Sequence, residues 1–300
     1  MNNKKLKVGV VQQPCNNDKK DNHKISEQQI RQLAKEGVQL ILLQELHSTL
    51  YFCQTENTAH FDQAENWDGP STIFFSALAS ELNIVLIISI FEKRSAGLYH
   101  NSALVIDKQQ GVVGKYRKMH IPDDPGFYEK FYFTPGDHQD PFLPIQTSVG
   151  KLGVLICWDQ WYPEAARLMA LKGAEILLYP TAIGWDLNDD KDEQQRQLNA
   201  WKIIQQSHAV ANGIPVMVAN RIGFEKSEAA ITNNDGIFFW GNSFICGPQG
   251  ELLAQADECS KKTLSCEIDM NRSENIRRIW PFLRDRRIDA YDDLSKRFRD

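Results

Sequence analysis

The chain has 300 residues, with 34 Lys and Arg against 39 Asp and Glu, a formal net charge of −5, 42% hydrophobic and 24% charged residues. These values exclude long disorder, collagen-like repeats and a disulfide-dense miniprotein. The mildly acidic balance argues against nucleic acid as a partner, since phosphate binding needs a basic surface, and it leaves room for a cationic ligand.

In chain order, Lys4, Lys5 and Lys7 precede only a brief apolar run at 8–11, too little for a secretory signal. Residues 7–11 read as a strand, 25–37 as a helix stopped by Gly37, and 38–43 as a strand apolar on both faces, as a buried strand is. A helix over 71–82 and a β-branched strand over 84–91 follow. Residues 102–107 and 112–118, separated by Gln109-Gln110-Gly111, read as a hairpin. No apolar run approaches the ~20 residues of a membrane helix. The chain reads as cytoplasmic, with no membrane partner.

Residues 119–148 break the pattern with Pro122-Asp123-Asp124-Pro125-Gly126 and Pro135-Gly136-Asp137, a long irregular segment of the kind kept for function. Regular structure then resumes: a strand over 152–157, a helix over 163–173, a strand over 175–179 and a long helix over 190–212 with Gly213 as its stop. Strands over 215–219, 242–246, 251–255 and 263–268 complete the series. No linker interrupts it, so residues 1–270 read as one domain and 271–300 as a charged tail that packs on the domain or on a subunit neighbour.

Several chemistries lack their signature. No GxG, GxxxxGK[ST], HExxH or GxSxG occurs, and the seven histidines show no metal-ligand spacing. Chemistry without a cofactor or metal is expected. The six cysteines form no CxxC pair and read as reduced, mostly buried thiols.

Three places could carry chemistry. Gly153-Val154-Leu155-Ile156-Cys157-Trp158-Asp159 ends a buried strand in a cysteine, with a helix starting soon after. A nucleophile suits the carboxyl end of a strand, and the Trp158 N–H can face a developing oxyanion. By itself such a cysteine is more often structural. The strand over 38–43 leads to Glu45, either a solvated carboxylate or a general base for a thiol that is little ionised at neutral pH. In Lys115-Tyr116-Arg117-Lys118-Met119-His120, an extended chain would put Lys118 and His120 on one face. This is either an exposed basic strand end or the fixed positive charge that an oxyanion needs.

The order and spacing of Glu45, Lys118 and Cys157 resemble those of the nitrilase superfamily of carbon–nitrogen hydrolases, over nearly the whole chain from Val8-Gly9-Val10-Val11-Gln12 to Gly250-Glu251. Residues 51–54, 119–133, 157–167, 179–184 and 240–245 resemble, within it, the branch that acts on an N-carbamoylated diamine. The resemblance implies an α/β fold, a four-layer α-β-β-α sandwich, and a homo-oligomer of stacked sandwiches. It implies Glu45 as general base, Lys118 as oxyanion stabiliser together with the Trp158 N–H, Cys157 as nucleophile, and Glu129 as a second glutamate that holds Lys118 and positions the substrate.

The implied substrate is a small cationic ureido compound, N-carbamoylputrescine, hydrolysed to putrescine, carbon dioxide and ammonia. Charge bears on this independently, because the irregular segments carry Asp123, Asp124, Asp159 and Asp186. The resemblance implies an acidic contact for the distal amine near Asp186, although Asp186 fits equally well as an acid before the helix at 190. Tyr51, Trp158 and Trp185 are candidate apolar walls. Three alternatives stay open at this point. One is another amidase of the superfamily such as a β-ureidopropionase. Another is a non-catalytic scaffold, and the third a Cys/His enzyme using His120 or His208.

Overall fold

The structure is a computed structural model and describes residues 5–139, 141–232 and 235–299; residues 1–4, 140, 233–234 and 300 of the expected domain and tail lie outside the described residues. The chain runs β1 (Lys5–Gln12), α1 (Lys19–Lys35), β2 (Leu40–Leu42), α2 (Pro70–Leu82), β3 (Val85–Ser95), β4 (Leu98–Asp107) and β5 (Gly111–Arg117). Then come the one-turn α3 (Glu129–Tyr132), β6 (Ile145–Thr147), β7 (Gly150–Val154), α4 (Pro163–Leu171), β8 (Ile176–Pro180), β9 (Gly184–Trp185) and α5 (Lys191–Asn212). The series ends with β10 (Val216–Ala219), β11 (Ile222–Lys226), β12 (Gly236–Trp240), β13 (Phe244–Cys246), β14 (Leu252–Gln255), β15 (Lys262–Asp269) and α6 (Met270–Ile279).

Two six-stranded sheets form, in the orders β15-β1-β2-β3-β4-β5 and β14-β13-β10-β8-β7-β6. Each is parallel at its centre, where β1, β2 and β3 or β7, β8 and β10 run together. Side-chain alternation explains how they stack. In the first sheet Val8, Val10, Val85 and Ile87 face one way and join Leu152, Val154, Leu178 and Val216 of the second sheet in a shared core. Their neighbours Val11, Leu86 and Ile88 face the other way, against Ile30 and Leu33 of α1 and Phe75 and Leu78 of α2. On the far side Met169 of α4 and Trp201 of α5 cover the second sheet. The result is a four-layer α-β-β-α sandwich. A small ribbon, β11-β12-β9, lies beside it.

Caps set the helix ends. Asp18 accepts from the N–H groups of Lys20 and Asp21, so α1 starts six residues before its expected start at 25. That first stretch, Lys-Lys-Asp-Asn-His-Lys, has no apolar period to reveal it. Asp190 caps α5, and Gly213 ends it at φ +60°, a conformation that glycine adopts without strain. The expected hairpin of 102–107 and 112–118 forms as β4 and β5. Six elements were not anticipated: α3 and β6, inside the segment expected to be irregular, and β9, β11, β12 and α6. Among the described residues no helix is long and apolar enough to cross a membrane.

Trp201 has no exposed surface and packs against Trp240 and Phe244, with ring centroids 5.8 and 5.7 Å away. Trp201→Ala should therefore lower stability by roughly 3–5 kcal/mol, read from chemical denaturation. A loss under about 1 kcal/mol would show that this interface repacks freely.

Candidate active site

Glu45, Lys118 and Cys157 each follow the carboxyl end of a strand, and the sandwich brings the three strand ends together from both sheets. Glu45 lies three residues beyond β2, and its N–H donates to Thr181 O at 3.3 Å, just past β8 of the opposite sheet. Leu46 follows at φ +48°. Lys118 lies immediately after β5, its N–H donating to Asn101 O on β4 at 2.9 Å. Cys157 differs from its expected place as the last residue of a strand. Strand β7 stops at Val154, and Cys157 opens a short 3₁₀ turn, Cys157–Trp161, at φ +44°. That is an uncommon backbone for an L residue and holds the thiol off the strand line.

The Lys118 ammonium is fully buried between two buried carboxylates, donating to Glu45 Oε1 at 2.9 Å and Glu129 Oε2 at 2.6 Å. Glu129 comes from α3, within the irregular segment. Asn101 Nδ2 also donates to Glu45 Oε1, at 2.6 Å, and the Tyr51 hydroxyl donates to Glu129 Oε1 at 2.7 Å. Glu45 Oε2 has no protein partner among the described residues, so one oxygen is free to accept a proton. The Cys157 thiol lies 3.8 Å from Ala182 O and is 4% exposed.

Electrostatics follow from this packing. Burial alone would lower the Lys118 pKa, but Glu129 and Glu45 outweigh it and hold the ammonium well above its usual range. Burial raises the Cys157 thiol well above its ordinary value, Glu45 adds to that, and Lys118 opposes it. The resting sulfur is therefore a protonated thiol that feels both neighbours. Burial, opposed by Lys118 and reinforced by Glu45, pushes the Glu129 carboxyl up to about 7.

The thiol opens into a cavity of about 390 Å³. Its apolar walls include Pro122, Pro125, Phe127, Trp158, Trp161, Ile183 and Trp240, and its charged lining is Asp124, Glu129, Asp186 and Asp189, with no Lys or Arg among the described residues. Two expected walls are absent. Tyr51 is buried behind Glu129, and Trp185 stacks on Phe238 with its indole N–H on Gln194 O. Trp161, Trp240 and Phe127 take their place. Lys118 and His120 do not share a face either. The strand stops at Arg117, and His120 turns to Asp159, its Nδ1 2.6 Å from Oδ1. His208 Nε2 lies 2.8 Å from Gln160 O, and neither histidine lines the cavity.

Asn101 and Arg221 went unrecognised in the sequence. Arg221 is fully buried, pairs with Glu225 at 2.6 Å and donates to the carbonyls of Glu45, Leu46 and Thr49. Asn101 carries a faint signal as an amide inside an apolar strand. Among the described residues no group of three or more His, Cys, Asp or Glu could hold a metal ion. What the site offers is a thiol, a carboxylate with a free oxygen and a fixed cation.

The class is now defined, and the chain belongs to the carbon–nitrogen hydrolase family, the nitrilase superfamily, whose model matches residues 7–278. It is 42% identical over 290 residues to an N-carbamoylputrescine amidase of Solanum tuberosum, covering 96% of this chain and 94% of that one. It is 41% identical to a citrullinase of Francisella tularensis, covering 98% and 99%. The crystal structure of a carbon–nitrogen hydrolase from Helicobacter pylori G27 superposes with a TM-score of 0.94 at 52% identity, covering 98% and 100%.

With a pKa near 7 in the fold against 4.5 for an exposed glutamate, Glu129 holds its proton longer when folded. Its contribution to stability should therefore fall as pH rises through that window. Carbon-13 NMR of the Glu129 carboxyl should show a midpoint near 7. Tyr51→Phe, which removes a donor to the ionised form, should move that midpoint upward. A wild-type midpoint near 4.5 would contradict the electrostatics given above.

Proposed function

We propose that the protein hydrolyses N-carbamoylputrescine by a Glu-Lys-Cys mechanism in polyamine biosynthesis. Glu45 takes the thiol proton as Cys157 Sγ attacks the ureido carbon, so thiolate forms only as it reacts. Lys118 and the Trp158 N–H stabilise the oxyanion, and Glu129 holds Lys118. The carbon–nitrogen bond to the diamine breaks, and the proton held by Glu45 leaves on the amine. A carbamoyl thioester results. Glu45 then takes a proton from water as its oxygen attacks, the carbon–sulfur bond breaks, that proton returns to Cys157 Sγ, and carbamic acid is released and falls apart to carbon dioxide and ammonia.

One observation carries the substrate. The cavity lining bears Asp124, Glu129, Asp186 and Asp189 and no cationic side chain among the described residues. A distal ammonium suits such a wall, and the apolar residues suit a four-carbon chain. Citrulline brings the same ureido group and an amine, but also a carboxylate that would face these acids without a partner. β-Ureidopropionate brings a carboxylate alone. Asp124 and Asp186 are the proposed amine contacts.

The cytoplasm fits an enzyme whose nucleophile must stay a thiol. Exposed Leu168 and Leu171 on α4 and Ile203 and Val210 on α5 support a homo-oligomer. Residues 1–270 form the proposed catalytic domain. Docking of the tail on it is supported by Arg277 on α6, which donates to Asn212 O at 2.9 and 2.8 Å.

Ammonia release should be at least about tenfold faster, as kcat/KM, from N-carbamoylputrescine than from citrulline or β-ureidopropionate, with about 1.4 kcal/mol for each factor of ten. A preference for either carboxylate-bearing compound would overturn the substrate. Cys157→Ala should abolish turnover, and Lys118→Met should cost roughly 3 kcal/mol or more of transition-state stabilisation. Near-normal kcat in Lys118→Met would remove it from the mechanism. Asp186→Asn should raise KM for the cationic substrate and spare neutral ureas, and equal losses for both would dismiss it as the amine contact.

A further inference from the structure

Asp159 is fully buried two residues after Cys157, yet no step above uses it. Its carboxylate meets four donors. Oδ2 accepts from the Ile156 N–H at 2.9 Å and the Tyr116 hydroxyl at 2.8 Å. Oδ1 accepts from the His120 N–H at 3.0 Å and lies 2.6 Å from His120 Nδ1. The two backbone N–H groups and the Tyr116 hydroxyl donate to an ionised Asp159, and the short contact from that carboxylate to His120 then requires the hydrogen on Nδ1.

The chain positions of these donors matter more than their number. Ile156 immediately precedes Cys157, whereas Tyr116 and His120 stand two residues either side of Lys118. One carboxylate thus ties the turn that presents the sulfur to the strand end that presents the ammonium. Both sides of the tie need such help. Cys157 is held at φ +44°, a backbone that costs free energy unless its surroundings fix it. The chain around Lys118 has just left β5, and its backbone is held only on its own sheet's side, by the Lys118 N–H on Asn101 O and the Gly136 N–H on Lys118 O, both at 2.9 Å. The His120 ring is itself fixed, stacked on Tyr162 with centroids 3.7 Å apart and planes within 7°.

We propose that Asp159 is a positioning residue for the reaction, setting the placement of Cys157 Sγ relative to Lys118 Nζ, and that its bond to His120 Nδ1 is the part that fixes the lysine side. This rests on the Glu-Lys-Cys reading. A displacement of about 1 Å in such a pair costs on the order of 10²-fold in rate while leaving ground-state binding of the remote amine in place.

Three variants test it. Asp159→Asn places an NH₂ group against two donors whichever way the amide turns. His120→Leu keeps bulk but removes the side-chain donor. His120→Asn restores a donor near the Nδ1 position. Each is assayed on N-carbamoylputrescine, with kcat expressed per Cys157 that iodoacetamide alkylates, counted by peptide mass mapping because Cys259 is also exposed, so that misfolded protein is not scored.

Asp159→Asn and His120→Leu should lose roughly 10²-fold in kcat with KM changed less than about threefold, and His120→Asn should recover most of the loss. A purely structural role would lower the melting temperature of all three and leave kcat per reactive thiol at the wild-type value, which overturns the proposal. Should Asp159→Asn not fold, the two His120 variants decide alone. Cys157→Ala is run beside them. Turnover in Cys157→Ala defeats the triad reading, whereas an inert Cys157→Ala beside a fully active His120→Leu defeats only the positioning role.

Discussion

One ammonium buried between two carboxylates is the constraint to which the rest of the site answers. Lys118, Glu45 and Glu129 are all sealed from solvent. Removing one partner from such a set leaves an uncompensated charge worth several kcal/mol, so the three must be kept together. Two acids on one base also leave an excess of negative charge. The fold meets part of it with neutral donors, Asn101 on Glu45 and Tyr51 on Glu129. The remainder appears in the proton affinities, with Glu129 raised to about 7 and the Cys157 thiol raised well beyond its ordinary range. A thiol that stays protonated at rest needs a base at the moment of attack, and in the proposed mechanism that base is Glu45, whose Oε2 has no protein partner among the described residues.

The sandwich makes this convergence possible. Glu45 and Lys118 leave strand ends of the first sheet and Cys157 leaves one of the second, so no single sheet could assemble the set. The sheets are stitched at the site itself by the Glu45 N–H on Thr181 O and by Asp159 reaching from the second sheet to Tyr116 on the first. Arg221 fixes the backbone behind Glu45, and its partner Glu225 accepts from the Tyr51 N–H at 2.6 Å. Since the Tyr51 hydroxyl in turn holds Glu129, one polar chain runs from Arg221 to Lys118. The left-handed residues Leu46 and Cys157 sit where the two sheets' turns meet, and the backbone beside each is tied by tertiary bonds, the Leu46 carbonyl by Arg221 and the Ile156 N–H by Asp159.

What the sequence disclosed divides along physical lines. Buried central strands announce themselves as apolar runs, which is why residues 38–43, 152–157 and 175–179 read as strands and why the polar residues beyond them stood out. The ribbon of β9, β11 and β12 did not, because β9 has two residues and β11 alternates poorly, with burial changing irregularly along it. Helix α6 was hidden by its charge, since the apolar face is sparse and the cap at Asp269 is the main signal. At the site, residues carrying unusual charge or sulfur were legible. Asn101 and Arg221 were not, because their importance lies in which backbone or carboxylate they touch. The walls were misjudged for the same reason. Tyr51 and Trp185 sit near the site in sequence, but their polar tips are claimed by Glu129 and by Gln194 O.

The excess negative charge also bears on what the cavity can hold. N-carbamoylputrescine and citrulline differ by one carboxylate, a small change in volume and a large one in electrostatics. Two unit charges roughly 6 Å apart at an effective dielectric near 20 interact by about 3 kcal/mol, equivalent to more than a hundredfold in binding. Asp124, Asp186 and Asp189 would repel that carboxylate while attracting the neighbouring ammonium, so the zwitterionic end gains little and the purely cationic end gains in full. Asp189 and Asp186 are each partly committed, since Asp189 Oδ2 accepts from Gln197 Nε2 at 2.7 Å and Asp186 Oδ1 accepts from the Asn188 N–H and Nδ2 at 2.8 and 2.9 Å, which leaves Asp124 and the second oxygen of Asp186 as the freer acceptors. Selectivity for an amine would then need no dedicated cation-binding pocket. It would follow from an acidic wall that, among the described residues, has no arginine or lysine to receive the competing anion.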